Sequence, residues 1–349
     1  MRFCFYVAQS GKPFNGQTLY TEALGGSESA VVYMARGLAK LGHEVIVFTR
    51  SEPGIYDDVL YLPFDSARSY LLFNPVDVLV CSRDPSPIYW SHRATCIIYW
   101  AHDLPAGPLP PNMNLYFFVS QWQANVYGQH GYIANPDTAR ISHNGVDLDV
   151  FKTKHEPRAL TPEDEVNLAW TSNPERGLWY AGEVLQRVRE VYPKAVLHVW
   201  GRNSIYGWDN SHEHVFYPDT LEGIVFHEST TKQGIANVLP TMDLLLYPTW
   251  WAETFCINTM EAQAVGLPII TSEHGALPET VKGGILVPGY AGKEGHIDAL
   301  TNQTLKLLGN LEKRQELSRV GRGFSRDYGW DAQAKEWSEL FSKALGLVA

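Results

Sequence analysis

Residues 250–278 read WWAETFCINTMEAQAVGLPIITSEHGALP, and their reading decides the fold. Ahead of them an apolar run, Asp243 to Tyr247, is closed by Pro248 and reads as a strand. Behind them Gly266 and Pro268 stop a helix, and a second strand, Ile269 to Thr271, begins. A helix starting near Phe255 leaves the backbone N–H groups of Thr254, Phe255 and Cys256 at its positive end, an anion site suited to a diphosphate. Glu253 and Glu261 stand eight residues apart. At ~100° per residue, Glu261 lies about 80° round from Glu253 and two turns deeper. One carboxylate can then reach past the phosphates on the sugar side and the other on the nucleoside side, and each can accept both hydroxyls of a vicinal diol. Read alone, Glu253 is equally a first-turn acid favoured by the helix dipole, and Glu261 a solvated helix residue. Trp250, Trp251, Thr254 and the strand–loop–helix setting favour the ligand reading. A hydrolytic carboxylate pair fits poorly, because two glutamates on one helical run do not flank a bond from opposite faces.

Working outward, 349 residues exceed one ordinary core and predict two domains. Apolar content of 45% and charged content of 19% are those of a globular chain. The net charge of −10 is spread over both halves: residues 1–150 hold 9 Lys/Arg against 13 Asp/Glu, the rest 19 against 25. With no basic block, nucleic acid is not expected as a partner and membrane association is not indicated. No apolar run approaches the ~18 residues of a membrane helix. The opening FCFYVA is too short for a secretory core and reads as a first strand. Cys4, Cys81, Cys96 and Cys256 are far apart, with no CxxC and no histidine at metal spacing, which predicts reduced structural thiols of a cytoplasmic protein and no metal site. The 11 Trp and 18 Tyr suit stacking on sugars and bases, as they suit ordinary packing.

Strand-like and helix-like runs alternate throughout, the pattern of parallel α/β sheets. Phe3–Ala8 is a strand, and a Gly-, Asn- and Pro-rich loop leads to Ser27, which can N-cap a helix carrying Ala30, Val31, Met34, Leu38 and Leu41. Glu44–Thr49, Val76–Cys81, Cys96–Trp100, Leu115–Val119 and Ala139–Ser142 read as strands, with a helix near Gln121–His130. From Phe151 to Glu165 the chain turns polar and aperiodic, the best linker. The alternation then restarts with strand Val166–Thr171, helix Leu178–Val191, strands Val196–Trp200 and Ile224–His227, and helix Lys232–Leu239. An amphipathic helix, Asp331–Leu345, carries Trp337, Leu340 and Phe341. In such sheets ligands bind beyond the carboxyl ends of strands.

Four further motifs sit at such ends. Gly25-Gly26-Ser27-Glu28 lets backbone approach a ligand at a helix start, or makes a simple turn; it is not the G-x-G-x-x-G of a dehydrogenase. His102-Asp103 follows a strand, where an imidazole can hydrogen-bond a substrate hydroxyl or serve structure alone. Thr171-Ser172-Asn173-Pro174-Glu175-Arg176-Gly177 opens the second half; Arg176 can clamp a diphosphate, or pair with Glu175 or Glu183. Asn144-Gly145-Val146-Asp147 is turn chemistry that positions one half against the other.

Together GGSESAV, HD after a strand, SQW at 120–122, NGVD, SNPERGL and the Glu253–Glu261 pair followed by GLPIITSEHGALPE resemble the retaining glycosyltransferases of family 4. The likeness covers nearly the whole chain and is most specific from Asp243 to Glu279. It implies a GT-B architecture: two facing Rossmann-like domains, an acceptor-side domain 1–150 joined by a C-terminal helix 331–349 that crosses back, a nucleotide-sugar domain 151–330, and a cleft between them. It implies transfer of a hexose from a GDP- or UDP-linked sugar to a hydroxyl of a glycan or glycoconjugate, as in polysaccharide biosynthesis, without metal or other cofactor. By motif, Glu253 would contact donor-sugar hydroxyls and Glu261 the ribose. Thr254, Phe255 and Cys256 would offer N–H groups to the diphosphate, Arg176 would neutralise it, Gly25 and Gly26 would approach it from the first domain, and His102 would lie near the transferred sugar. The family's usual Arg–Lys phosphate clamp is altered: Thr171 stands in the Arg position and Arg176 in that of the Lys, so Thr171 or Ser172 would supply hydrogen bonds instead. The base would be read by groups after Trp200 and near Phe226, neither of which decides between bases. A non-catalytic sugar-nucleotide-binding scaffold and a sugar-nucleotide epimerase of the same architecture are the alternatives.

Overall fold

The structure is a computed structural model describing residues 1–201 and 222–347. It divides into two compact units, Met1–Gly145 with Tyr328–Ala349, and Val146–Asp327. The stretch after Gly201, where base-reading groups are expected, and the last two residues of the 331–349 segment lie outside the described residues.

The first unit is built on a sheet of order β3-β4-β2-β1-β5-β6-β7-β8. Its strands are β1 (Arg2–Tyr6), β2 (Glu44–Thr49), β3 (Gly54–Tyr56), β4 (Val59–Pro63), β5 (Pro75–Ser82), β6 (Arg93–Ala101), β7 (Leu115–Phe118) and β8 (Ala139–Ile141). All pairs are parallel except β3 with β4, a hairpin turned by Asp57 and Asp58, both at positive φ. Uninterrupted apolar runs become strands here because both faces are covered. Cys4 and Tyr6 point into one core with Ile46, Leu79, Cys81 and Phe118. On the opposite face the Phe5 ring stacks on Trp337 of the terminal helix, Trp330–Ala344, with centroids 6.2 Å apart. Trp337 also meets Trp100 and Phe117 edge-on and donates its indole N–H to Ser142 Oγ at 2.7 Å. The terminal helix closes against the Gly26–Lys40 helix, where a Cβ on Gly37 would come within 2.6 Å of the Ala334 Cβ.

In the second unit β9 (Asn167–Trp170), β10 (Val196–Val199), β11 (Ile224–Phe226), β12 (Leu244–Tyr247), β13 (Ile269–Glu273) and β14 (Gly284–Pro288) pair in the order β11-β10-β9-β12-β13-β14, all parallel. This is the doubly wound order 3-2-1-4-5-6, whose direction of winding reverses between β9 and β12. The helices His296–Leu308 and Leu311–Ser325, unmarked by the sequence reading, complete this unit.

Two local readings shift. Ser27 is not the N-cap: Gly25 takes that place with φ −60° and ψ 159°, Gly26 begins the helix, and the Ser27 hydroxyl donates to Glu28 at 2.9 Å. An extended glycine ends the loop without a side-chain cap. The helix expected near Phe255 starts at Ile257 and runs to Val265, because Cys256 at φ +74° is left-handed and cannot continue a right-handed helix backwards.

Candidate functional site

The reversal point of the second sheet brings two loops together. The loop after β9 carries Thr171, Ser172 and Arg176; the loop after β12 carries Pro248 to Cys256. Backbone and indole bonds zip them: the Trp250 N–H reaches the Arg176 carbonyl at 3.3 Å, and Trp250 Nε1 the Glu175 carbonyl at 2.7 Å. Gly177, at φ +133°, makes the closeness possible, since a Cβ there would lie 2.2 Å from the Pro248 carbonyl oxygen. Gly275 does the same beneath Glu253: its Cβ would sit 2.5 Å from both the N and the O of that residue, and the Ala276 N–H bonds the Glu253 carbonyl at 2.7 Å.

Within this frame Arg176 Nη1 donates to Glu253 Oε1 at 2.7 Å, and the Tyr247 hydroxyl donates to the same oxygen. Arg176 therefore pairs with Glu253 in the structure, while Glu183 accepts from Trp179. The Glu253 side chain is 3% exposed and that of Arg176 30%, so the carboxylate is the fixed member and the guanidinium the reachable one. The guanidinium also lies 5.5 Å from the centroid of the Trp251 ring, a cation–π contact that flattens it against the loop. Tyr247 hydrogen-bonds Ser172 Oγ at 3.2 Å, and Trp170 Nε1 holds the Ser172 carbonyl at 2.8 Å. Burial, with the Glu253 charge adding to it, pushes the Tyr247 phenol well above its usual range, so it stays a donor. Burial acts likewise on the Cys256 thiol, whose Sγ donates to Asn258 Oδ1 at 2.7 Å. Thr171 Oγ1 and Asn258 Nδ2 are buried polar atoms with no hydrogen-bond partner among the described residues.

Glu261 lies one helix face deeper and is 4% exposed, not solvated. Its Oε1 accepts from Lys232 Nζ, on the first turn of the Lys232–Val238 helix. Burial raises the Glu261 carboxyl, and the Lys232 charge and hydrogen bond act against that rise. Thr254 and Phe255 lie in the loop before the helix, and Cys256 caps it.

In the first unit, Gly25 and Gly26 lie at the helix start after β1, and His102 directly follows β6. His102 is 7% exposed and packs on the Trp100 ring at 4.4 Å. Burial, reinforced by the Arg83 guanidinium, pulls its pKa down to about 3, so the imidazole is neutral at neutral pH. Arg83, left-handed at φ +65° after β5, bonds the buried Glu28 at 2.9 Å and lies 3.7 Å from Asp103.

The sequence reading missed Tyr247, Lys232, Gly177, Gly275 and Arg83. Tyr247 could have been found as the last residue of a strand at a ligand edge. Nothing in sequence marks Lys232, whose partner is 29 residues away.

Residues 167–310 match the family model of Glycosyl transferases group 1. Over that stretch, less than half of its length, the chain is similar to the group 1 glycosyl transferases. The second unit's sheet, both loops and both glutamates fall inside that match. A D-inositol 3-phosphate glycosyltransferase of Mycobacterium leprae is 26% identical over 223 residues, 61% of this chain and 51% of the relative. The one of Mycobacteroides abscessus is 29% identical over 233 residues, 61% of this chain and 47% of its own. The chain thus spans about half the length of the curated relatives it matches. Among solved structures, sucrose-phosphate synthase from Thermosynechococcus elongatus superposes with a TM-score of 0.77 at 15% identity, covering 100% of both chains. Anabaena HepE, solved in complex with UDP-glucose, gives 0.69 at 15% identity, over 98% of this chain and 100% of that one. At such identities these likenesses establish the fold, which is GT-B. Among the described residues no helix is long and apolar enough to cross a membrane.

Proposed function

We propose that the protein is a retaining glycosyltransferase, moving a hexose from a GDP- or UDP-linked sugar to a hydroxyl of a glycan or glycoconjugate without a metal ion. The observation that carries this reading is the Arg176–Glu253–Tyr247 constellation at the reversal point of the second sheet. A glycoside hydrolase would need carboxylates opposed across a bond. Here one glutamate is held against a cation and a phenol, and the other sits deeper on the helix that follows.

In the proposed reaction the bond from the anomeric carbon to the β-phosphate oxygen breaks, and the acceptor oxygen bonds that carbon on the same face. The acceptor proton passes to an oxygen of the departing phosphate, so no side chain becomes a covalent carrier. Negative charge develops on the diphosphate, and Arg176 neutralises it: five guanidinium donors allow it to keep Glu253 and hold a phosphate together. Glu253, fixed by Tyr247, accepts hydroxyls of the donor sugar and orients it. The hydroxyl of Thr171 or Ser172 and the loop N–H groups take the remaining phosphate oxygens, in place of a second cation. Glu261 accepts the ribose diol. In the first unit, the neutral His102 can donate to or accept from a substrate hydroxyl without adding charge.

Relatives named as glycosyltransferases and a fold neighbour bound to UDP-glucose support this reading. The test is a panel of sugar nucleotides, with nucleotide diphosphate release followed over time and the product's anomeric configuration read by NMR. No binding or turnover of any donor, or full activity in Glu253→Ala, overturns the proposal. Binding without transfer to any acceptor points to a non-catalytic sugar-nucleotide protein. A new sugar configuration formed without acceptor points to an epimerase.

A further inference from the structure

The Lys232–Glu261 pair is costly to explain as architecture alone. Glu261 is 4% exposed, and taking a carboxylate that far from water costs several kcal/mol that its partner at best offsets. Lys232 stands on the first turn of its helix, where a cation opposes the dipole. A leucine–methionine contact would staple the two helices at least as well. Two unfavourable placements that meet in one ion pair call for a use of the ionised carboxylate. We propose that Lys232 is a positioning residue for nucleotide binding: it holds Glu261 ionised and rotationally fixed, so that the carboxylate can accept both hydroxyls of a ribose.

The chemistry follows from lone pairs. A carboxylate offers about four acceptor sites on two oxygens, and Lys232 occupies Oε1. Acceptor capacity remains for a vicinal diol, whose two O–H groups must both donate. A protonated carboxyl would present an O–H of its own and could accept only one of them well. Burial pushes Glu261 toward that protonated form, and Lys232 opposes it. The other groups around this helix sit elsewhere. Glu253, Cys256 and Asn258 lie at its amino end, while the His155 backbone N–H bonds Val265 and Arg322 packs against Gly266 at its far end. Among the described residues, the charge acting on Glu261 comes from Lys232.

This inference rests on the proposed role of Glu261 as the ribose acceptor, and the experiment separates the two. Binding of UDP and GDP and of their 2′-deoxy and 3′-deoxy analogues is measured by calorimetry from pH 6 to 8.5, for the wild type, Lys232→Met and Lys232→Arg. The wild type should prefer ribose by about tenfold or more, the worth of one well-placed hydrogen bond to a charged group, at every pH. Lys232→Met should lose most of that preference at pH 6 and regain it toward pH 8.5, as the lone buried carboxyl ionises; recovery at high pH also shows that the variant is folded. Lys232→Arg should keep the wild-type preference throughout. In turnover, Lys232→Met should raise the donor KM with kcat little changed. A wild type that does not distinguish ribose from its deoxy analogues overturns the role of Glu261. A wild type that does, beside a Lys232→Met whose preference is unchanged at all pH values, overturns the inference about Lys232 alone.

Discussion

Gly177→Ala should break the site without touching a ligand-binding side chain. Gly177 sits at φ +133° and ψ 19°, a conformation that strains any L side chain by about 1–3 kcal/mol. The added Cβ would also stand 2.2 Å from the Pro248 carbonyl oxygen and 3.2 Å from the Thr249 Cα. Both obstacles are backbone at the end of a central strand, so no rotamer change relieves them, and forced overpacking adds about 1–3 kcal/mol. The total is about 2–6 kcal/mol. At roughly 2–4 °C per kcal/mol for a domain of this size, the second unit should melt about 4–24 °C lower. Whatever relaxation occurs must part the loop of Arg176 from that of Glu253, so donor binding should fall with stability. Gly42→Ala is the control, because Gly42 has φ +84° but no atom within 4 Å of its Cβ position; it isolates backbone strain of about 1 kcal/mol. Denaturant unfolding and calorimetric titration with UDP and GDP measure both effects. If Gly177→Ala unfolds within 1 kcal/mol of Gly42→Ala and binds nucleotide as the wild type does, the claim that these loops are locked by close backbone approach is wrong.

Glu253→Gln should retain nucleotide diphosphate binding but lose about 100-fold or more in turnover, since a neutral amide orients sugar hydroxyls less strongly and frees Arg176 from its partner. Tyr247→Phe removes one charge-assisted bond to Glu253 and leaves Ser172 without its partner; a stability loss of about 1.5–3 kcal/mol and a drop in kcat should appear together in melting and turnover assays. His102 has a native pKa of about 3 against an ordinary value of 6.5. The native protein thus binds fewer protons than the unfolded chain between those values, and stability is lost as pH falls below 6.5. At pH 5 the loss from this residue is about 2 kcal/mol, and His102→Phe should flatten that part of the denaturant-versus-pH curve. Trp337→Ala removes a fully enclosed indole stacked on Phe5 and should cost about 3–5 kcal/mol in the first unit's unfolding transition.

The sequence by itself determined the architecture. Short apolar runs such as Phe3–Ala8, Val76–Cys81 and Asp243–Tyr247 alternate with periodic helices, and runs apolar on both faces have little stable use outside a covered parallel sheet. The short hairpin at Asp57–Asp58 escaped because its strands, Gly54–Tyr56 and Val59–Pro63, are brief and one is solvent-facing. The candidate residues that follow strands, Arg176 and Glu253 in the second unit and His102 in the first, were legible as candidates for the same reason: each parallel sheet puts the carboxyl ends of its own strands on one edge. Partnership was not. Arg176 could have paired with Glu175 or Glu183, and only the zipping of two loops 77 residues apart, through Gly177, set it against Glu253. Read alone, Glu261 is as readily a solvated helix acid until the helix beginning at Lys232 is laid beside it. The left-handed Cys256 likewise delays the helix by two residues for a reason no propensity carries. Periodicity reports which face of an element is buried, whereas charge pairing and backbone strain depend on what arrives from elsewhere in the chain. The tertiary structure alone decides those.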